Sequence, residues 1–343
     1  MIIKLKNNTN KHEIDYLISA LASIGLSSRI TERGGCCIFA DSREMPSEST
    51  VGEIRSICGK ECVEDVSIFH DPFLCCGRGY NKERRVIRVA DGVTVGGEEL
   101  CLIAGPCSVE SLDSLAEIAQ RVKTSGANIL RGGAFKPRTS PYEFQGLHEE
   151  GIKLLCEVGR HLKIPVISEI MSENQLDLFA DIDMIQVGAR NMQNFELLHA
   201  LGKSSKPILL KRGMSAEITE LLMSAEYIMS SGNENVILCE RGIRTFEPRT
   251  RNTLDLSAVT LVHELSCLPI ITDPSHASGH SSLVKPLALA SAAAGADGIM
   301  TEVHSDPKSA KSDGIQSITT DEFDSLAHNI QEVRAAVQNI YCN

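Results

Sequence analysis

The feature that most limits what this chain can become is an alternation. From Leu100 onward, eight short apolar runs take turns with amphipathic stretches of helical period. The runs are LCLIAG (100–105), NILRGG (128–133), IPVISEI (164–170) and MIQVGA (184–189), then PILLKRG (207–213), NVILCERG (235–242), PIITDPSH (269–276) and GIMTEVH (298–304). Between them lie helical patterns such as 217–229, where Ile218, Leu221, Leu222 and Ala225 share one face. Eight strand–helix units in about 240 residues predict a closed parallel (β/α)8 TIM barrel, an α/β fold. An open doubly wound sheet is the rival. It rarely gives eight evenly spaced units, and no GxGxxG follows the first run.

The first 70 residues read differently, as β-α-β-β-α-β, the order of a small ferredoxin-like α+β domain. Asn10 and Glu13 predict a capping box ahead of a helix whose apolar face carries Ile14, Leu17, Ile18, Leu21 and Ile24. Gly34-Gly35 suits a hairpin turn between strands near 29–32 and 36–40, and a second helix and a last strand follow over 49–58 and 63–69. Residues 71–98 read as a linker plus a β-hairpin turning at Asp91-Gly92, and 99–343 as the barrel. A net charge of −11 argues against nucleic-acid or anionic-membrane partners, which need an excess of Lys and Arg. With neither a signal peptide nor an apolar run approaching the roughly 20 residues of a membrane span, the expectation is a cytoplasmic protein. Its 12 cysteines form no CxxC repeat and read as reduced thiols packed as small apolar groups. Cys58 and Cys62 have a spacing that could serve zinc, but no second Cys/His pair follows at finger-like distance.

In such barrels the chemistry sits at the C-terminal rim of the strands. Here nearly every run delivers a reactive group to that rim. Arg131, Lys136, Arg138, Arg190, Lys211 and Arg241 form a cationic set drawn from four strands. Like charges in one pocket repel, so the set predicts bound anions, with forked guanidinium donors matched to phosphate or carboxylate oxygens. Six cations suggest more than one anionic group. A second set, Cys107, His276, Glu302 and Asp313, comes from strands 1, 7 and 8, which are neighbours once the barrel closes. One thiol, one imidazole and two carboxylates suit a divalent cation such as Mn, Fe, Co or Zn. Taken singly, Cys107 is more often a packed thiol and Asp313 a loop cap, and His304 is a rival ligand.

At these motifs the sequence closely resembles the type I beta subclass of 3-deoxy-D-arabino-heptulosonate 7-phosphate (DAHP) synthase. The likeness lies in IAGPCSVE (103–110), LRGGAFKPRTSPYEFQGL (130–147), QVGARNMQNFELL (186–198), LLKRG (209–213), ILCERGIRTFE (237–247), DPSH (273–276), TEVH (301–304) and SDGIQS (312–317). The resemblance implies condensation of phosphoenolpyruvate with erythrose 4-phosphate, with release of phosphate. It implies a metal on Cys107, His276, Glu302 and Asp313. Arg131, Lys136, Arg190, Lys211 and Arg241 would hold phosphoenolpyruvate, with Ala189 and Glu169 beside it. Lys136, Arg138 and Thr139 would engage erythrose 4-phosphate, with Asp273 near its hydroxyls. Lys136 would protonate the developing alkoxide, a metal-bound water being the alternative. The related 3-deoxy-D-manno-octulosonate 8-phosphate synthases carry a stretch resembling KANRSS where this chain has Lys136-Pro137-Arg138-Thr139-Ser140, which favours the four-carbon acceptor. A catalytically dead barrel acting as a metabolite sensor is a reading of another class. The N-terminal module resembles domains that pair across subunits and bind amino acids, implying a homo-oligomer (tetramer or dimer) inhibited by tyrosine or phenylalanine.

Overall fold

The structure is a computed structural model that describes residues 2–31, 37–41, 48–59, 62–67, 72–79, 81–136, 140 and 142–341. The expected turn at Gly34-Gly35 lies outside the described residues. Two compact units divide the chain, Met1–Lys82 and Glu83–Asn343.

The first unit runs β1 (Ile2–Leu5), α1 (Lys11–Ser23), β2 (Ser27–Thr31), β3 (Cys37–Asp41), α2 (Glu48–Cys58) and β4 (Val63–Ser67). Its strands lie in the order β2-β3-β1-β4, with every pairing antiparallel, the split βαβ arrangement of ferredoxin-like domains. Asn10 caps α1 through its side chain, and Glu13 returns the bond to the Asn10 N–H at 2.8 Å, so two otherwise orphaned donors are satisfied. Leu17 and Leu21 of α1 meet Ile3, Leu5, Ile38, Ile54, Cys58 and Cys62 in one buried cluster. Cys58 and Cys62 are thus core residues here, with no third metal-type donor beside them among the described residues.

The second unit opens with a hairpin, β5 (Ile87–Ala90) and β6 (Val93–Val95), that turns at Asp91-Gly92. Eight parallel strands follow, β7 (Cys101–Gly105), β8 (Ile129–Arg131), β9 (Val166–Ile170), β10 (Met184–Val187), β11 (Ile208–Lys211), β12 (Val236–Glu240), β13 (Ile270–Thr272) and β14 (Gly298–Glu302). They close into a barrel in which β14 pairs with β7. The helices between and after them are α3 (Leu112–Thr124), α4 (Glu149–Leu162), α5 (Phe195–Gly202), α6 (Ile218–Ser230), α7 (Ser257–Leu265), α8 (Pro274–Ser278), α9 (Ser281–Ala293) and α10 (Thr320–Tyr341). Between β9 and β10 the connection is a 3-10 helix, Glu173–Phe179. No helix among the described residues is long and apolar enough to cross a membrane.

Inside the barrel, side chains alternate because successive strand residues face opposite sides. Ile103, Ile129, Ile167, Met184, Leu209, Ile237, Ile271 and Met300, one from each strand, pack with Ile87, Val89 and Val95 of the hairpin into a single core. Each side chain withdrawn completely from water contributes roughly 1.5–3 kcal/mol. One expectation needs correction. The run 269–276 does not continue as strand, because Asp273 and Pro274 supply a helix N-cap and first residue. Asp273 Oδ1 accepts from the His276 N–H at 3.0 Å, so His276 stands on the first turn of α8.

The opposite, N-terminal end of the barrel is stitched by Asp297. Its Oδ2 accepts from the Ile270 N–H at 2.8 Å and lies 3.0 Å from His263 Nε2, while Arg84 pairs with Oδ1. Burial works to raise the Asp297 pKa, but the His263 hydrogen bond and the Arg84 charge outweigh it and hold the carboxyl below its ordinary value. A depressed folded pKa contributes stability above the unfolded carboxyl pKa, about 3.9, and that contribution fades as pH falls through the folded value. Asp297→Asn is therefore expected to lower stability at pH 7 by about 2 kcal/mol, a deficit that shrinks below about pH 4. Urea unfolding of both proteins from pH 7 down to pH 3 checks this, and a deficit that stays constant with pH contradicts it.

Candidate active site

The period-two alternation that packs the core also selects what projects at the rim. Two residues beyond Ile129 comes Arg131, beyond Ile167 Glu169, beyond Leu209 Lys211, beyond Cys239 Arg241, beyond Ile271 Asp273, and beyond Met300 Glu302. All of these lie on the inner parity of their strands. Together with Lys136, Ala189 and Arg190 from the following loops, most of them surround a cavity of about 250 Å³. Asp273 is fully buried beneath it, held by Lys211 Nζ at 2.5 Å. Arg138 and Thr139 lie outside the described residues.

The metal-type donors converge as their strand positions require. Ligand atoms of Cys107, Glu302 and Asp313 all lie within 4.8 Å of one another. His276 is joined to them through Glu302, with Nε2 at 3.3 Å from Oε1. His304 is not part of the group. It is buried, and its Nδ1 accepts from the Asp306 N–H at 3.1 Å.

Three observations indicate that a cation fits this group. First, Glu302 Oε1 is buried and accepts no well-aligned hydrogen bond, although Arg131 Nη2 stands 3.2 Å away. Second, His276 Nδ1 lies 2.7 Å from Asp273 Oδ2. Burial would raise the Asp273 pKa, but His276 and Lys211 prevail and hold it well below the usual carboxylate range, so its ionised oxygen accepts and Nδ1 carries the proton. Burial lowers the His276 pKa. The neutral ring then turns its Nε2 lone pair toward Glu302 Oε1, two acceptors with no proton between them. Third, burial pushes the Cys107 thiol up to about 12, with Glu302 adding to the effect against Lys136. Only a stronger cation at the sulfur would make it a thiolate. Asp313, by contrast, is drawn down to about 2: burial opposes this, but the Cys107 hydrogen bond, His276 and Lys136 prevail.

Lys136 ties the two sets together. Its Nζ donates to the Cys107 carbonyl and to Cys107 Sγ, each at 3.0 Å. The cationic set is also not waiting wholly for outside anions, as its charge alone suggested. Arg131 Nη2 lies 3.2 Å from Glu302 Oε1, and Lys211 is paired with Asp273. The protein's own buried carboxylates neutralise the deepest cations, while the exposed Arg190 faces the cavity. Glu169, whose Oε2 accepts from Gln186 Nε2 at 3.1 Å, depends on a glycine. A Cβ on Gly188 would stand 1.9 Å from Glu169 Oε1.

Several lining residues escaped the sequence reading, including Gln186, Met214 and Arg251. Gln186 follows Met184 by two on β10, so inner parity would have found it. Arg251 sits on an irregular loop without periodicity. Its backbone is fixed by N–H bonds from Arg251 to Ser278 and from Asn252 to Ala277, at 3.0 and 2.8 Å.

Comparison with known proteins agrees with this geometry. Residues 82–339 match the model of the DAHP synthetase I family. A phospho-2-dehydro-3-deoxyheptonate aldolase of Thermotoga maritima is 43% identical over 341 residues, covering 98% of both chains. A 2-dehydro-3-deoxyphosphooctonate aldolase of Desulfatibacillum aliphaticivorans is 31% identical, covering 72% of this chain and 97% of its own. Among solved structures, the Thermotoga maritima DAHP synthase superposes with a TM-score of 0.77 at 41% identity, covering 98% of this chain and 97% of that one. A truncated form of the Thermotoga maritima synthase gives 0.71 at 44% identity, covering 76% and 96%. On the strength of a matched family model over three quarters of its length and a near full-length relative, this chain belongs to the DAHP synthetase I family.

Proposed function

We propose that this protein joins phosphoenolpyruvate to erythrose 4-phosphate with addition of water, giving DAHP and inorganic phosphate, the first step of the shikimate pathway in the cytoplasm. One observation carries the reading: the cavity lined by anion-binding cations is also lined by His276 and Asp313, and Asp313 clusters with the buried Cys107 and Glu302 in a donor group fit for a divalent metal. Family membership supports the same chemistry.

Arg190, Lys211 and Arg241 hold the phosphate and carboxylate of phosphoenolpyruvate, with Arg131 beneath and Glu169 and Ala189 beside it. Lys136, Arg138 and Thr139 receive erythrose 4-phosphate, with Asp273 near its hydroxyls. Cys107, His276, Glu302 and Asp313 hold Mn, Fe, Co or Zn, which when bound supplies Lewis acidity toward the acceptor aldehyde. The enol carbon C3 then forms the new bond to the aldehyde carbon, and Lys136 Nζ gives a proton to the aldehyde oxygen. Water adds at C2 and gives up a proton to the now neutral Lys136 amine. The C2–O bond to phosphate then breaks, and the C2 hydroxyl proton leaves with inorganic phosphate as the ketone forms. Lys136 suits its role because burial, which would lower its pKa, is outweighed by Cys107 and Glu302, so the amine stays protonated. Phosphate release from phosphoenolpyruvate, measured with erythrose 4-phosphate and arabinose 5-phosphate side by side, tests the acceptor. The four-carbon sugar should be preferred, chelation should abolish activity, and added Mn or Co should restore it. Preference for the five-carbon sugar makes the enzyme an octulosonate 8-phosphate synthase, and no turnover with either leaves a sensor.

We further propose that the first unit, Met1–Lys82, pairs across subunits of a homo-oligomer (tetramer or dimer) and binds tyrosine or phenylalanine as a feedback inhibitor. Its βαββαβ topology supports this, as does a catalytic set lying wholly within the second unit. A truncation beginning at Arg85 should stay active and ignore aromatic amino acids that inhibit the full chain. A full-length enzyme indifferent to all three aromatic amino acids would leave the unit as an assembly device.

A further inference from the structure

One buried polar side chain next to the donor group plays no part in the reaction as described. Gln316 is 2% exposed, closing a tight turn that begins at Asp313, which itself adopts a left-handed φ of 51°. Its Nε2 donates to Glu302 Oε2 at 2.6 Å. Its Oε1 accepts from Arg251 Nη1 at 2.9 Å. The same Arg251 nitrogen lies 3.4 Å from Asp313 Oδ1.

The consequence is a division of labour within each carboxylate. Glu302 has Oε2 engaged by Gln316 and Oε1 left without a well-aligned hydrogen bond on the side of His276 and Arg131. Asp313 has Oδ1 facing Arg251 and Oδ2 facing Cys107 Sγ at 3.1 Å. In each, the outer oxygen is held and the inner one presented to the donor cluster. The amide orientation follows from the network, since Glu302 can only accept and Arg251 can only donate.

We propose that Gln316 and Arg251 form a positioning pair that sets the two carboxylates for metal capture, with Arg251 anchored on the loop that also borders the anion cavity. The inference rests on the metal reading above and adds residues that reading did not include. Gln316 fixes Glu302 directly, and Arg251 fixes both Gln316 and Asp313. Because Arg251 is about two-fifths exposed, its variants leave the packed core untouched.

The test is Co(II) affinity of the metal-stripped full-length protein, measured by competition with a chelator, together with its electronic spectrum. A sulfur-to-cobalt charge-transfer band reports the Cys107 bond, and the visible ligand-field bands report coordination geometry. Gln316→Met keeps side-chain length without either hydrogen bond. It is expected to weaken Co(II) binding about 10–100-fold and to alter the ligand-field bands while keeping the charge-transfer band. Arg251→Met should shift both readouts in the same direction, by several-fold in affinity, and remains informative if Gln316→Met does not fold. A wild-type band that Cys107→Ser removes, with Arg251→Met and Gln316→Met both indistinguishable from wild type, overturns the positioning pair alone. A wild-type protein that binds no Co(II) overturns the metal reading and this inference with it.

Discussion

The site depends on strand register more than on any single side chain. In a closed barrel the inner face is available only to alternate residues, and the closure between β14 and β7 sets Glu302 opposite Gly105, two residues before Cys107. A slip of one residue in β14 would turn Glu302 toward the helices and bring Thr301 inside. The apolar layer of Ile129, Ile167, Leu209, Cys239, Ile271 and Met300 is what forbids that slip, because it would expel the core together with the chemistry. Core and site are two levels of one pattern.

That arrangement forces charges into a dry interior, where an unpaired one is costly. The structure answers by pairing opposite charges, Lys211 with Asp273 and Arg131 with Glu302, and by a hydrogen bond from the His276 Nδ1–H to Asp273. Residues of the opposite parity form a separate set outside the barrel. Arg212 Nη1 bridges Glu240 Oε2 at 2.8 Å and Asp255 Oδ2 at 2.9 Å. This clamp holds the ends of β11 and β12, from which Lys211 and Arg241 project inward. Glu240 also accepts from the Gly242 N–H, fixing the start of the loop that carries Arg251. Adjacent residues in sequence thus serve opposite ends: one faces the reaction, its neighbour braces the strand.

The barrel was legible because eight apolar runs of similar length leave few alternatives, and the inner-face chemistry was legible because it obeys the same period. Residues on turns were harder to place. His276 reads as a strand end, yet Asp273-Pro274 caps a short helix and shifts it onto the next element. Arg251 and Gln316 lie in irregular segments whose geometry comes from tertiary hydrogen bonds rather than from periodicity. Gln186 was accessible in principle, being two residues past Met184, but an uncharged amide attracts less notice than Arg or Lys. The cationic set, read as demanding external anions, turned out to be partly balanced from within, because carboxylates distant in sequence share its layer.

On the proposed function, one inner face of the barrel holds both the metal and the phosphorylated enol. A crystal of the full-length protein with Mn(II) and phosphoenolpyruvate, measured for anomalous scattering at the manganese edge, tests it most directly. The expected result is an anomalous peak bonded to Cys107, His276, Glu302 and Asp313, with the phosphoenolpyruvate phosphate against Arg190, Lys211 and Arg241. A manganese peak elsewhere, or phosphoenolpyruvate bound away from these cations, would contradict it.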